Sequence, residues 1–219
     1  GDDHLSNTPK QIILYEALGF KIPQFFHVAM INGSDGAKLS KRHGATDVME
    51  YKNMGYLPEA LLNFLVRLGW SHGDDEIFSM HQMLELFDPY NLSKSASTYN
   101  PSKLEWLNAH YIKTLPFERL ADDMLYFGLD FREINKGQML LDLLRERSKT
   151  LLELKASALA IINQPTDYDQ NAVKKFINDD NKLLLSEFAN SLGNADMDAK
   201  AIEEMTNEFL TQKGKKLKD

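Results

Sequence analysis

The residues best suited to chemistry are Lys38-Leu39-Ser40-Lys41-Arg42-His43-Gly44, which follow the turn-forming string Asn32-Gly33-Ser34-Asp35-Gly36. Three cations fall within five positions, with a serine between them and glycines on either side. Glycine gives such a loop backbone freedom. Two ammonium groups act as point charges toward phosphate oxygens, a guanidinium offers a planar fork, and Ser40 adds a hydroxyl. Together these groups can neutralise a polyphosphate. Short basic clusters are also ordinary solvated loops, and the residue types alone leave both readings open.

Other candidates are weaker. Asp2, Asp3 and His4 could serve as metal ligands or as an acid–base pair, but no further ligands follow at suitable spacing, so a surface or capping role is expected and no metal site is assigned. His43 adjoins the cationic loop. His27 lies in an apolar run and reads as a core residue. His72, His81 and His110 are scattered, and Asp74-Asp75-Glu76 reads as a solvated acidic turn. Phe64, Trp70, Trp106 and Tyr111 could stack on nucleic-acid bases. Their apolar helical spacing predicts core packing instead.

The elements that must position the basic loop are marked by start and stop signals. Thr8-Pro9 predicts a helix start with Thr8 as cap, and Gly19 its end. Phe25–Ile31 is a near-continuous apolar run of strand length, with the basic loop hanging from its end. Ligands bind at that end of strands in open α/β sheets. Thr46 is expected to cap a helix closed by Gly55. Pro58 opens the next helix, Ser79 and Gln82 form a capping box, and Asn100-Pro101 opens another helix. Beyond Thr114 the pattern is helical, with segments over 116–127, 136–162, 170–177, 181–192 and 197–213.

Composition limits the function classes. The 219 residues are 43% hydrophobic and 26% charged, as in a soluble globular protein, with a net charge of −7 and both halves mildly acidic. Nucleic acid would therefore have to bind through local basic patches, with salt sensitivity. No apolar run reaches the roughly 18 residues of a membrane span, and the amino terminus does not read as a signal peptide. The absence of cysteine excludes disulfides and thiolate chemistry and suits the cytoplasm.

Lys38-Leu39-Ser40-Lys41-Arg42 resembles the KMSKS signature of class I aminoacyl-tRNA synthetases, in the variant of the glutamyl-tRNA synthetases. Three further stretches agree in order. Gly1 to Pro9 (GDDHLSNTP) looks like the segment leaving that family's catalytic domain. Gly55 to Asn63 (GYLPEALLN) and Leu68-Gly69-Trp70-Ser71 look like the helix after the signature. Asn100 to Asn108 (NPSKLEWLN) is another match.

The resemblance implies a mainly α chain in three parts. Residues 1–45 would be a short α/β remnant of the catalytic domain, 46–114 a helical stem-contact region, and 115–219 an all-helical anticodon-binding domain. Lys41 and Lys38 would be catalytic, and Lys38, Leu39, Ser40, Lys41 and Arg42 would bind ATP, used with Mg2+. The turn at Asp2–His4 would border the amino-acid and adenosine pocket. Arg132, Arg145, Arg147, Lys174 and Lys175 are candidates for contact with tRNA(Glu). The implied partners are ATP, glutamate and tRNA(Glu), with a monomeric chain and no membrane.

No HIGH-like string occurs, so the resemblance is to a carboxyl-side piece truncated at both ends and unable to form glutamyl-adenylate alone. The alternatives are a stand-alone tRNA-binding or scaffolding helical module, and a paralogue charging a modified tRNA base. The long helical half argues against the latter.

Overall fold

The computed structural model describes residues 1–40, 47–193 and 198–217. They form two compact units, Gly1–Asn163 and Gln164–Asp219. The described residues are mostly helical, with one two-stranded parallel sheet.

The first unit opens with a 3-10 turn, Asp2–Asn7, that runs into helix α1 (Thr8–Ala17). Thr8 is not the cap expected from sequence. The turn continues through it, and its hydroxyl lies 2.9 Å from His27 Nε2. Gly19 does end the helix, with φ +69°, and the Phe20 N–H returns to the Tyr15 carbonyl at 2.9 Å.

The strand expected over Phe25–Ile31 is mostly absent. Strand β1 covers only Ile31–Asn32, paired in parallel with β2 (Ser97–Thr98) in the register Ile31–Ser97 and Asn32–Thr98. A strand needs a laddered neighbour. Here Ser97 N–H reaches the Met30 carbonyl and Tyr99 N–H the Asn32 carbonyl, whereas upstream the Val28 carbonyl is met by a single donor, Asp2 N–H. Phe26 and Val28 are exposed.

Helix α2 (Val48–Asn53) is capped by Asp47, which accepts from Met49 N–H at 2.8 Å. The expected cap, Thr46, lies outside the described residues. Helices α3 (Pro58–Gly69), α4 (Met80–Leu86) and α5 (Pro101–Thr114) start where their signals predict, including both halves of the Ser79–Gln82 capping box and the Asn100 cap. Helix α6 (Phe117–Tyr126) follows.

The single helix expected over 136–162 is two, α7 (Gly137–Arg145) and α8 (Leu151–Ile162). Between them Ser148 is buried and donates to the Leu144 carbonyl, and Thr150 caps α8 by accepting from Glu153 N–H. Polar side chains that satisfy free backbone groups end one helix and start the next.

One apolar core runs through this unit from Tyr51 to Ala158, passing through Phe64, Leu107, Leu120 and Phe131, and is continuous across position 114. Each leucine or phenylalanine among them contributes about 1.5–3 kcal/mol when fully buried. Trp70 packs separately with Phe78 and Met83. Trp106 departs from expectation: it is 45% exposed, with the Lys103 ammonium 4.1 Å from its ring centre. Glu76 is likewise not a free solvated residue. Its carboxylate is 3.1 Å from Lys103 and 3.5 Å from Arg67, and its carbonyl accepts from Asn63.

Two buried asparagines tie the core together. Asn63 Oδ1 accepts from Phe78 N–H, and the Tyr111 hydroxyl lies 2.8 Å from both Asn63 Oδ1 and the Phe78 carbonyl. Asn108 accepts from Leu57 N–H at 2.8 Å and donates to the Gly55 and Lys149 carbonyls at 3.2 and 2.6 Å. The Gly55 carbonyl also receives Leu151 N–H. Gly55 has φ +85°, and a Cβ there would sit 2.8 Å from Leu152 N, so only glycine fits.

The second unit contains α9 (Gln170–Phe176), α10 (Asp179–Leu192) and α11 (Ala199–Gln212), each with an Asp or Asn cap and none with a buried residue. Phe188 and Phe209 meet at 5.1 Å between α10 and α11. No described helix is long and apolar enough to cross a membrane.

Candidate functional site: a basic hairpin at the end of a parallel strand

The chain turns back on itself directly after β1. Gly33 N–H donates to the Ala37 carbonyl at 2.8 Å, Gly36 N–H to the Gly33 carbonyl at 3.0 Å, and Asp35 Oδ1 accepts from Ala37 N–H at 3.0 Å. Gly36 supplies the left-handed residue, φ +75°. The turn brings Lys38 into an antiparallel bridge with Asn32, and Leu39 N–H reaches the Ile31 carbonyl at 2.8 Å. The glycines and Asp35 therefore position the first residues of the basic string at the carboxyl end of a parallel strand, where α/β folds hold ligands.

Lys38 points into solvent, with its ammonium 2.5 Å from Asp3 Oδ2. That hydrogen bond holds the Asp3 carboxyl below its ordinary range. Asp3 is carried by the 3-10 turn, which His27 clasps: its ring nitrogens lie 2.9 Å from the Gly1 carbonyl and from the Thr8 hydroxyl. His27 is thus satisfied, as expected, but half-buried and serving as a clasp between segments. Lys41, Arg42 and His43 lie outside the described residues. Among the described residues no group of three or more His, Cys, Asp or Glu could hold a metal ion.

The other sequence-selected cations fall in different surroundings. Arg132 is held by Asp130 and Asp122, both at 2.9 Å, and approached by Glu118. Arg145 is held by Asp142 at 2.9 Å and the Leu115 carbonyl at 3.0 Å. Arg147 is exposed. In the second unit Lys174 and Lys175 are exposed on the last turn of α9, Lys175 lying over the Phe176 ring. The structure brings Lys38, Leu39 and Ser40 together at the hairpin, whereas the partners of Arg132 and Arg145 lie on other elements of the first unit. Sequence reasoning missed the Asp3–Lys38 pair and the Asn108 junction. Both link residues more than 30 positions apart and have no local signal.

Comparisons with known proteins agree with this architecture. Residues 1–106 match the family of class I tRNA synthetases (E and Q), catalytic domain, and residues 82–219 match the anticodon binding domain family. Glutamate–tRNA ligase 2 of Campylobacter fetus is 72% identical over 219 residues, covering all of this chain and 48% of the relative. The corresponding protein of Campylobacter concisus is 69% identical with the same coverage. The chain thus spans about half the length of the curated relatives it matches. Among solved structures, a glutamate tRNA ligase from Elizabethkingia meningosepticum in complex with its amino acid superposes with a TM-score of 0.78 at 26% identity, over 99% of this chain and 47% of that one. The fold, the placement of the basic hairpin and these matches together show that the chain belongs to the glutamyl-tRNA synthetase family of class I aminoacyl-tRNA synthetases.

Proposed function

We propose that this chain works as part of a glutamate–tRNA ligase, which activates glutamate with ATP and transfers it to the 3′ end of tRNA(Glu). In this reading the glutamate carboxylate attacks the α-phosphate and pyrophosphate leaves; a hydroxyl at the tRNA 3′ end then attacks the adenylate's carbonyl and AMP leaves. Lys41 and Lys38 neutralise the charge that builds on the departing pyrophosphate, with Leu39, Ser40 and Arg42 completing the loop around the phosphates. Magnesium would arrive on the nucleotide. The described residues offer it no ligand cluster.

The observation that carries the proposal is the hairpin. Its turn bonds present Lys38 at the end of β1, at the start of the basic string. Residues 1–45 would supply the ATP loop, 46–114 contact the tRNA stem, and 115–219 approach the anticodon, in a monomeric cytoplasmic enzyme. Of the candidates for tRNA contact, Arg132 and Arg145 would have to leave their own carboxylates. Arg147, Lys174 and Lys175 are exposed and can meet phosphate or base directly.

The test is made in the intact ligase. Lys41→Ala is expected to lower ATP–pyrophosphate exchange by about 10²–10³-fold, the scale of losing one transition-state charge contact, and Lys38→Ala by less. Unchanged exchange in both variants would overturn the assignment. For the tRNA side, binding of glutamate tRNA and anticodon-substituted versions is measured across a salt series. Tight binding that depends on the anticodon supports the reading, whereas weak binding blind to the anticodon favours a scaffolding role.

A further inference from the structure

The Asp3–Lys38 pair joins residues 35 positions apart, and both partners are held by backbone rather than by chance rotamers. Lys38 is locked by the hairpin: its bridge to Asn32 and the bond from Leu39 N–H to the Ile31 carbonyl leave only its four-carbon stem free. Asp3 sits in a turn fixed by Asp2 N–H to the Val28 carbonyl at 3.0 Å, by His4 N–H to the Gly1 carbonyl at 2.9 Å, and by the His27 clasp. Val28 and Ile31 lie three residues apart on one stretch of chain, so that stretch anchors the backbones of both partners near each other. Both side chains are open to solvent, at 62% for Lys38 and 44% for Asp3, so a dissolved anion can reach the ammonium.

We propose that Asp3 is the resting counter-ion of Lys38, which an incoming nucleotide's phosphates must displace, so that Asp3 sets how readily the loop takes ATP. The inference rests on reading Lys38 as a phosphate-binding residue. Phosphate and carboxylate compete for the same ammonium, and the fixed hairpin keeps Lys38 beside the competitor until the nucleotide arrives. Asp3 therefore acts through Lys38 as a positioning residue: it holds the stem in one place and weakens nucleotide capture without entering the reaction.

The experiment is a double-mutant cycle in the intact ligase, with ATP–pyrophosphate exchange measured for the wild type, Asp3→Asn, Lys38→Ala and the double variant. Asp3→Asn is expected to lower the KM for ATP about two- to five-fold, the scale of one exposed ion pair, with kcat unchanged. In the Lys38→Ala background the same substitution is expected to do nothing. An equal drop in KM with and without Lys38 would overturn the proposal in favour of a diffuse charge effect. A rise in KM would overturn it by making Asp3 a nucleotide contact, and an unchanged KM would show that the pair carries no competition. If Lys38→Ala itself leaves the KM and kcat for ATP unaltered, the reading of Lys38 fails, and that result is separate from any result for Asp3.

Discussion

At the scale of single residues, Asn108 holds the most. One amide satisfies the Leu57 N–H and the Gly55 and Lys149 carbonyls, and it is fully buried. Asn108→Ala is expected to destabilise the chain by about 2–4 kcal/mol, because buried groups lose their partners; the urea midpoint measures it. Tyr111 makes a second prediction. Burial pushes its phenol up to about 12, and Tyr56 and Tyr99 are raised for the same reason. Above the ordinary tyrosine value near 10, the unfolded chain ionises while the folded chain stays protonated. The contribution is therefore whole below about pH 10 and is lost as pH rises toward 12. Urea midpoints between pH 9 and 11 are expected to fall, and to fall less steeply in Tyr111→Phe. The turn Asn32–Gly36 was legible in sequence because its residue types carry the meaning. Asp3 was legible only as a weak metal or capping candidate, since its partner comes 35 residues later.

At the scale of elements, helix starts were the most readable feature, because a cap is a short-range bargain between a side chain and the next three N–H groups. Ser79 and Asn100 cap as their neighbours dictate. Where the reading failed, the cause was local for the helix break and long-range for the strand. The break between α7 and α8 rests on Ser148 and Thr150, inside a polar run, 145–150, with no glycine or proline to mark it. The Phe25–Ile31 run becomes strand only where Ser97–Thr98 comes alongside. The start of α8 also makes the turn after α2 intolerant of any side chain. Gly55→Ala must adopt φ +85° and place a Cβ against the Leu151 and Leu152 nitrogens. It is expected to cost about 1–3 kcal/mol or more, seen as a lower thermal midpoint. A surface glycine such as Gly73, with open space around it, is the comparison; its substitution meets only the backbone cost.

At the scale of the molecule, the two units differ in how they are held. The first has a core that no single helix owns. None of the described helical residues of the second is buried, and a non-helical stretch, 163–169, joins the two. Local opening follows burial, so limited proteolysis is expected to cut first within 163–169 or the second unit and to leave a resistant product close to Gly1–Asn163. A resistant product ending near position 114 would contradict a core continuous across it. The Asn108 junction also has a consequence for synthesis. The amide gathers segments lying 53 residues before it and 41 after it. A nascent chain that has exposed α2, α3 and α5 still lacks the carbonyl and the helix start that complete the junction. At roughly 5–20 residues per second, those helices wait for seconds outside the ribosome before Lys149 and Leu151 arrive. The turn bearing Gly55 is made early and locked late, and the first unit is completed on the ribosome from its carboxyl side.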